Sequence, residues 1–469
     1  LEAQGNWFQD RQYGQQFKTQ QMHLKPPTTL EAIEKYLASG LIKGIGPGYA
    51  KKLIHAFGEH VFEVIETNPE ALKAIPGIGT AKRQQIINGW ASQKSVRTIM
   101  LFLHSHGVST NRAVRIYKTY GDQAIQIIQE NPYRLAQDIR GIGFVNADKI
   151  AMKLGIAPTS LIRARAGLSY ILQKAMEEGH CGLPISQALT SAQSLLEIEQ
   201  QTLEQALAFE LQEGILVQNF IDETSCVFLN HLYKAEKEIA EILQKLHAMP
   251  VPWPPIKIQQ AIQKVETQND INLSSSQQDA LTKALSNKIT IITGGPGVGK
   301  TTLLRSILQI FQDQKMNLAL CAPTGRAAKR MAEATGFEAK TIHRLLNLNP
   351  EAGSFSRSET VTLDCDIVVV DEVSMVDIPL FSTLLKAIPA RAALILVGDP
   401  DQLPSVGPGQ VLADLIASDT FPFIHLTETF RQTAASQIIS VAQKINQNLM
   451  PPLKGYGPDS DFFFIAAEE

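Results

Sequence analysis

In the stretch IITGGPGVGKTTLL, residues 291–304, Gly294, Gly299, Lys300 and Thr301 stand at the spacing of a phosphate-binding loop. An apolar β-type run (Ile289 to Ile292) precedes the loop and helix-compatible residues follow it, which is the strand, loop and helix such a motif requires. Glycines let backbone N–H groups close around phosphate oxygens, and the helix N-terminus adds positive potential. Lys300 then reaches the β/γ-phosphates and Thr301 offers its hydroxyl to Mg²⁺. The ATP cradle runs through Gly295, Pro296, Gly297, Val298, Gly299, Lys300, Thr301 and Thr302, so ATP and Mg²⁺ are the implied cofactors. A second apolar run, in DIVVVDEVSMVD, ends in Asp371-Glu372: Asp371 is placed to orient the metal and Glu372 to polarise the attacking water. An acidic pair can also simply end a surface strand, but beside a phosphate loop the catalytic reading is the stronger.

A different glycine chemistry occupies the first third of the chain. Gly44-Ile45-Gly46, Gly77-Ile78-Gly79 and Gly141-Ile142-Gly143 each lie between helix-compatible runs. Glycine lets the backbone approach a phosphate and form a small nest of donors. Basic residues follow at near-constant distance: Lys51 and Lys52, Lys82 and Arg83, Arg112 and Arg115, then Lys149. That pattern favours backbone contact with nucleic acid without sequence reading. A lone glycine pair would more often just end a helix; repeated copies with basic followers argue for binding. The third unit in chain order, Gly107-Val108-Ser109, lacks the second glycine and is expected to pack rather than bind.

The elements that must position these residues follow from repeats and periodicity. GIGPGYAKKLIHAFGEHVFEVIETNPEAL from Gly44 and GVSTNRAVRIYKTYGDQAIQIIQENPYRL from Gly107 align without gaps at an offset of 63 residues. Asn68-Pro69 and Asn131-Pro132 are N-cap and N1 signals that put helices between the hairpins. Residues 27–157 therefore read as a duplicated, all-α binding region. Residues 158–247 read as a winged-helix-like module ending in two β-type runs, EGILVQN and TSCVFLN. AMPVPWPPI, residues 248–256, cannot be a helix interior and marks a linker, with a helix completing 248–272. Over 273–424, the runs KITIITG, MNLALCAPTG, CDIVVVDE, AALILVGD and FIHLTET alternate with helical stretches, which predicts a parallel sheet in an α/β domain.

The 469 residues, 44% hydrophobic and 19% charged with net charge −3, describe a globular multidomain chain. Nucleic-acid binding must then use local basic patches, not overall charge. Cys181, Cys226, Cys321 and Cys365 are scattered without a CxxC, which argues against a structural metal or disulfide framework and for reduced thiols in a cytoplasmic protein. No apolar run approaches the ~18 residues of a membrane span, and no signal-peptide pattern opens the chain.

LVGDPDQLPSVGPG resembles motif III of superfamily 1 helicases, APTGRAAKRM (322–331) resembles motif Ia, and TIHRLL (341–346) the next strand-contacting motif. LSSSQQDA is similar to an adenine-reading Q motif, LTETFRQ to motif IV, and the glycine hairpins to helix-hairpin-helix elements. In this order, from YGQQF to DFFFI, the chain resembles the stand-alone RecD-like branch, with a RecA-like motor behind the hairpins. The resemblance implies a DNA helicase that translocates 5′→3′ on single-stranded DNA and unwinds duplex in repair or recombination. It implies that Asp399 and Gln402 sense the γ-phosphate and that Gln277 reads adenine. It further implies that Arg431 reaches the γ-phosphate like an arginine finger, and that Thr324, Arg326, Thr341 and His343 touch single-stranded DNA. Taken singly, His343 would be a packed or capped histidine, Arg431 an ion-pair partner and Gln277 a first-turn polar residue; their order joins them.

Single-stranded and branched DNA are the implied partners, with a single-strand-binding protein as a further one. The resemblance also suggests a strand-separating β-hairpin pin within 347–363, where the residues alone support a polar excursion with a glycine turn. Leu1 in place of Met, residues 1–26 reading as the tail of a barrel-like segment, the strand-like DFFFIA and the missing motifs V and VI lead to the expectation of a piece of a longer protein. In that reading, 425–469 begins a second RecA-like domain. Two other functions fit parts of the pattern: a RecD-type subunit of an exodeoxyribonuclease complex, and a branched-DNA-binding protein switched by ATP.

Overall fold

The computed structural model describes residues 2–10, 14–23, 30–38, 44–349, 354–355, 357–358, 360–428, 437–446, 448–452 and 460–465. It divides into two compact units, Leu1–Arg163 and Ala164–Glu469.

In the first unit, β1 (Glu2–Asp10) and β2 (Gly14–His23) pair antiparallel, with a register shift between Gln4 and Gly5. Helices follow: α1 (Leu30–Ala38), α2 (Pro47–Phe57), α3 (Val61–Thr67), α4 (Thr80–Ser105), α5 (Thr110–Tyr120), α6 (Ala124–Glu130), α7 (Arg134–Asp138) and α8 (Phe144–Lys153). Each hairpin turn is built alike. The first glycine, Gly44, Gly77, Gly107 or Gly141, takes a positive φ of 84–106°, which L side chains rarely adopt. The apolar residue between (Ile45, Ile78, Val108, Ile142) is buried and anchors the turn. The second position leads into a helix, with Gly46 and Gly143 as N-caps of α2 and α8 and Ser109 as that of α5. Asn68 and Asn131 end α3 and α6. A 3₁₀ turn, Pro69–Ala74, follows the first, and the second accepts the Tyr133 N–H at 3.0 Å.

The second unit opens with α9, which runs Leu161–Glu177 across the division, then β3 (Gly182–Pro184), α10 (Ile185–Leu196), α11 (Gln200–Gln212), β4 (Leu216–Ile221), β5 (Thr224–Leu229) and α12 (Asn230–His247). The two β-type runs pair antiparallel, and β3 adds a third strand in the order β3-β5-β4 that sequence alone did not show. After the prolines come α13 (Ile258–Asn269), α14 (Ser275–Ser286), β6 (Ile289–Gly294), α15 (Lys300–Asp313), β7 (Leu318–Ala322), α16 (Gly325–Thr335), β8 (Ala339–Thr341) and α17 (Ile342–Leu345). The short strands β9 (Leu348–Asn349) and β10 (Ser354–Phe355) pair antiparallel. Then β11 (Ile367–Val370), α18 (Ile378–Ala387), β12 (Ala393–Gly398), α19 (Val411–Ala417), β13 (Phe423–Leu426) and α20 (Gln437–Asn446) follow.

Six strands form one parallel sheet in the order β13-β6-β12-β11-β7-β8. Strands β6, β11 and β12 are buried throughout, as continuous apolar runs covered on both faces must be. One face packs against α13, α14 and α15. The other packs against α18, α19 and α12, whose Ala235, Ile239, Leu243 and Leu246 enter this core, so the helix that follows the β3-β5-β4 sheet is also a layer of the α/β domain. The proline-rich stretch is irregular, as expected, yet firmly held: Trp253 is buried with its indole N–H on Leu285 O at 2.9 Å. Of the DFFFIA stretch, expected to be strand-like, the described residues 461–465 form no strand. Among the described residues, no helix is long and apolar enough to cross a membrane.

Candidate functional site

Parallel register brings the C-terminal ends of the strands to one edge of the sheet, where open α/β folds bind their ligands. The phosphate loop leaves β6, Asp371 and Glu372 leave β11, Asp399 leaves β12, Thr324 follows β7 and Thr341 ends β8. Ala322 stands opposite Thr341 in the register, so the two expected DNA motifs start from adjacent strand ends.

The loop's geometry demands its glycines. A Cβ on Gly294 would lie 2.9 Å from Leu426 O and 2.7 Å from Val298 Cγ2. Gly299 caps α15 at φ 78° in the left-handed region. The resulting cavity of about 440 Å³ is lined by Lys300, Thr301, Asp371, Glu372 and Gln402 together with Gly295, Pro296, Gly297, Gly299 and Thr302. Sequence spacing thus selected residues that the fold brings to one place.

Lys300 Nζ donates to Gly294 O and, at 3.0 Å, to Gly295 O. Burial lowers its pKa, opposed by Asp399, Glu372 and Asp371. Burial likewise pushes the Asp371 carboxyl up to about 6, with the Glu372 charge adding to the rise and the Glu372 N–H, 2.9 Å from Asp371 Oδ1, opposing it. Glu372 itself sits at φ 54°, an uncommon conformation for a non-glycine residue, and lines the same cavity as Asp371. Asp399 is buried and accepts from Asp401 N at 3.1 Å and Gln402 Nε2 at 3.0 Å, so the turn after β12 is clamped by the residue facing Lys300's charge.

Gln277 lies outside the cavity lining. It is buried, its Oε1 accepts from Ser274 N at 3.1 Å in a capping box, and its Nε2 donates to Val298 O at 3.3 Å. Its bonds in this structure cap α14 and tie that helix to the phosphate loop; reading a base requires exchanging them. Val298, expected in the cradle, is also buried and does not line the cavity. Thr324 and Thr341 cap α16 and α17, accepting from Ala327 N (3.2 Å) and Arg344 N (3.1 Å), while Arg326 and His343 are exposed at the first turns of these helices. Arg431 falls outside the described residues.

Two features escaped the sequence reading. Arg330 lines the same cavity from α16, four residues past Arg326 and so near it on one helix face. Glu428, after β13, accepts from Ser275 Oγ at 3.1 Å and from Ser276 Oγ, and these hydroxyls hold its carboxyl down at about 2. It therefore binds the first turn of α14 to the end of β13, a link between distant segments that no local spacing announces.

In the first unit, the second glycines Gly46, Gly79 and Gly143 have nothing within 4 Å of where a Cβ would be, so the backbone there is open to a ligand. Gly44, Gly77 and Gly141 turn the chain and meet side chains: Gln85, Tyr49 and Arg115 respectively. The basic followers divide. Lys52 Nζ donates to Pro76 O at 3.1 Å and Arg115 to Arg140 O at 2.8 Å, each holding the residue before the partner hairpin's first glycine. Arg83 pairs with Glu70. These three serve the fold; Lys51 and Lys149 are exposed and Lys82 is half-buried.

Comparison with known proteins fits this geometry. Residues 277–408 match an AAA domain, residues 92–182 the ATP-dependent RecD2 DNA helicase HHH domain, and residues 35–92 a SAM-like helix-hairpin-helix tandem. The ATP-dependent RecD2 DNA helicase of Deinococcus radiodurans is 31% identical over 445 residues, covering 92% of this chain and 61% of that protein. The RecBCD enzyme subunit RecD of Mycolicibacterium smegmatis is 42% identical over 164 residues, 30% of either chain. The crystal structure of Pif1 helicase from Candida albicans aligns with 39% of this chain and 45% of its own at 26% identity, TM-score 0.32. The chain spans about three fifths of the length of its RecD2 relative. With a RecD2-type hairpin domain, an AAA domain and a relative that matches nearly all of it, the chain is RecD2-like along its length.

Proposed function

We propose that this chain carries the nucleotide-hydrolysing and DNA-gripping parts of a 5′→3′ DNA helicase. The observation that supports this most is the single sheet edge from which Lys300, Asp371, Glu372 and Gln402 converge on one cavity, while Thr324, Arg326, Thr341 and His343 leave the two neighbouring strands. A change at the γ-phosphate and a change in grip on a DNA strand are then movements of adjoining loops.

Thr301 and Asp371 suit Mg²⁺: both are hard oxygen donors on one cavity, and a cation would relieve the desolvation that raises Asp371. When bound with ATP, the metal supplies charge neutralisation at the β- and γ-phosphate oxygens. Lys300 exchanges its bonds to the loop carbonyls for the phosphates, Glu372 draws the proton from the attacking water, and Gln402, steadied by Asp399, registers loss of the γ-phosphate. Arg431 is proposed to complete the charge stabilisation.

Gly46, Gly79 and Gly143 present open backbone for phosphates of single-stranded or branched DNA, and the β9–β10 pair is proposed as the strand-separating pin. A single-strand-binding protein as partner and a cytoplasmic location belong to the same reading. ATP hydrolysis by the chain with and without single-stranded DNA, beside Lys300→Ala, tests it. Stimulation that depends on Lys300 supports the motor; DNA binding without stimulated turnover favours an ATP-switched binder. Tailed duplexes of the two polarities then test direction.

A further inference from the structure

The third hairpin, the one without a second glycine, borders a cavity of about 310 Å³ between itself and α8. His106, Gly107, Arg112, Asn146, Lys149 and Lys153 line it, and no carboxylate does. The one acid on α8, Asp148, is committed to Arg163 (2.9 and 3.1 Å) and to the Tyr133 hydroxyl (2.7 Å). His106 Nδ1 donates to Phe102 O at 2.7 Å, and Arg112 to Asn146 Oδ1 at 3.5 Å. Lys153 Nζ lies 2.6 Å from the place a Cβ on Gly107 would take, and Gly107 has φ +84°. Glycine therefore both turns this hairpin and lets an ammonium close over it. Three cations share this cavity with no carboxylate in its lining, so a bound anion would relieve their mutual repulsion.

The first hairpin pair shows what has changed. With Gly77 aligned on Gly141, the residues equivalent to Lys149 and Lys153 are Gln85 and Gly89, and the neighbour of the first glycine, Gly44, is the Gln85 Cγ at 3.2 Å. Where both glycines of the leading hairpin are present, the facing helix is neutral at these positions. Where the second is replaced by Ser109, two lysines have been gained.

The geometry points to a side-chain phosphate clamp at the third hairpin: Arg112, Lys149 and Lys153 bind a phosphodiester of the DNA backbone where the other hairpins offer open backbone. Val108 and Ile142 both line the cavity, so it lies between hairpins three and four, one residue from the open backbone of Gly143. A strand resting on Gly143 has its neighbouring phosphate within reach of the clamp. The inference rests on the DNA-binding reading above and reverses the expectation that this hairpin only packs.

The test is the salt dependence of DNA binding by the whole chain and by a Lys149→Gln/Lys153→Gln variant, with melting temperature as a check on folding. One lost phosphate contact lowers the slope of log K against log salt by about 0.7 on single strands and about 0.9 on duplex. A Lys149→Arg/Lys153→Arg variant, which keeps the charge, is expected to hold the parent slope. A folded Gln variant that retains the parent slope overturns the clamp while leaving the DNA-binding reading intact. No salt-dependent binding by the parent overturns both. If the Gln variant loses only thermal stabilisation by inorganic phosphate and still binds DNA like the parent, the pocket serves a free anion and the DNA assignment falls.

Discussion

Asp371→Asn separates the cost of a buried carboxylate from its use. Folding moves this group from 3.8 to about 6, chiefly by desolvation. At about 1.4 kcal/mol per pKa unit, the ionised form costs the nucleotide-free domain about 2–3 kcal/mol. Because the folded pKa is raised, its favourable contribution is complete below pH 3.8, falls as pH rises through 6 and is gone at pH 7.5. Asparagine never ionises, and its Oδ1 can still accept the Glu372 N–H. In EDTA without nucleotide, the variant is therefore expected to melt about 5–10 °C above the parent at pH 7.5, with the gap shrinking markedly at pH 5. Mg²⁺ with ATP should reverse the order at pH 7.5, since the parent gains binding free energy that the amide cannot supply. Scanning calorimetry at both pH values, with and without Mg²⁺-ATP, reads all of this. An Asn variant no more stable than the parent at pH 7.5 in EDTA would refute the desolvation argument.

Gly294→Ala forces a Cβ against Leu426 O at 2.9 Å and should cost about 1–3 kcal/mol while abolishing stabilisation by ATP; melting with and without nucleotide measures both. Gly79→Val enters open space at an unstrained position, so the fold should stand while the salt slope of DNA binding drops by about 0.7–0.9; an unchanged slope assigns this hairpin to packing. Trp253→Ala removes a buried ring and its bond to Leu285 O, and is expected to destabilise the α/β domain by about 3–5 kcal/mol in urea unfolding.

The phosphate loop, the acidic pair and the alternation of the α/β domain were legible because each is a local pattern: a fixed spacing of backbone-dictating residues, or a hydrophobic period. The hairpin duplication was legible for the same reason. Strand β3 was missed because three residues carry no period, and it exists only by pairing with β5. The role of α12 as a layer of the α/β domain was hidden because amphipathicity reveals a buried face without naming what covers it.

What the sequence determined by itself was the inventory: which residues can cradle phosphate, which glycines turn hairpins, and the order of strands and helices along the chain. Tertiary structure alone decided how those residues are spent. It committed Gln277 to a helix cap, Lys52 and Arg115 to the neighbouring hairpin, and Glu428 to the start of α14, and it gathered Arg112, Lys149 and Lys153 around a hairpin whose own residues predicted no binding. The physical reason is that backbone conformation answers to near neighbours in the chain. A polar side chain answers to whatever partner folding brings within about 3 Å, and that partner is as often distant in sequence as near.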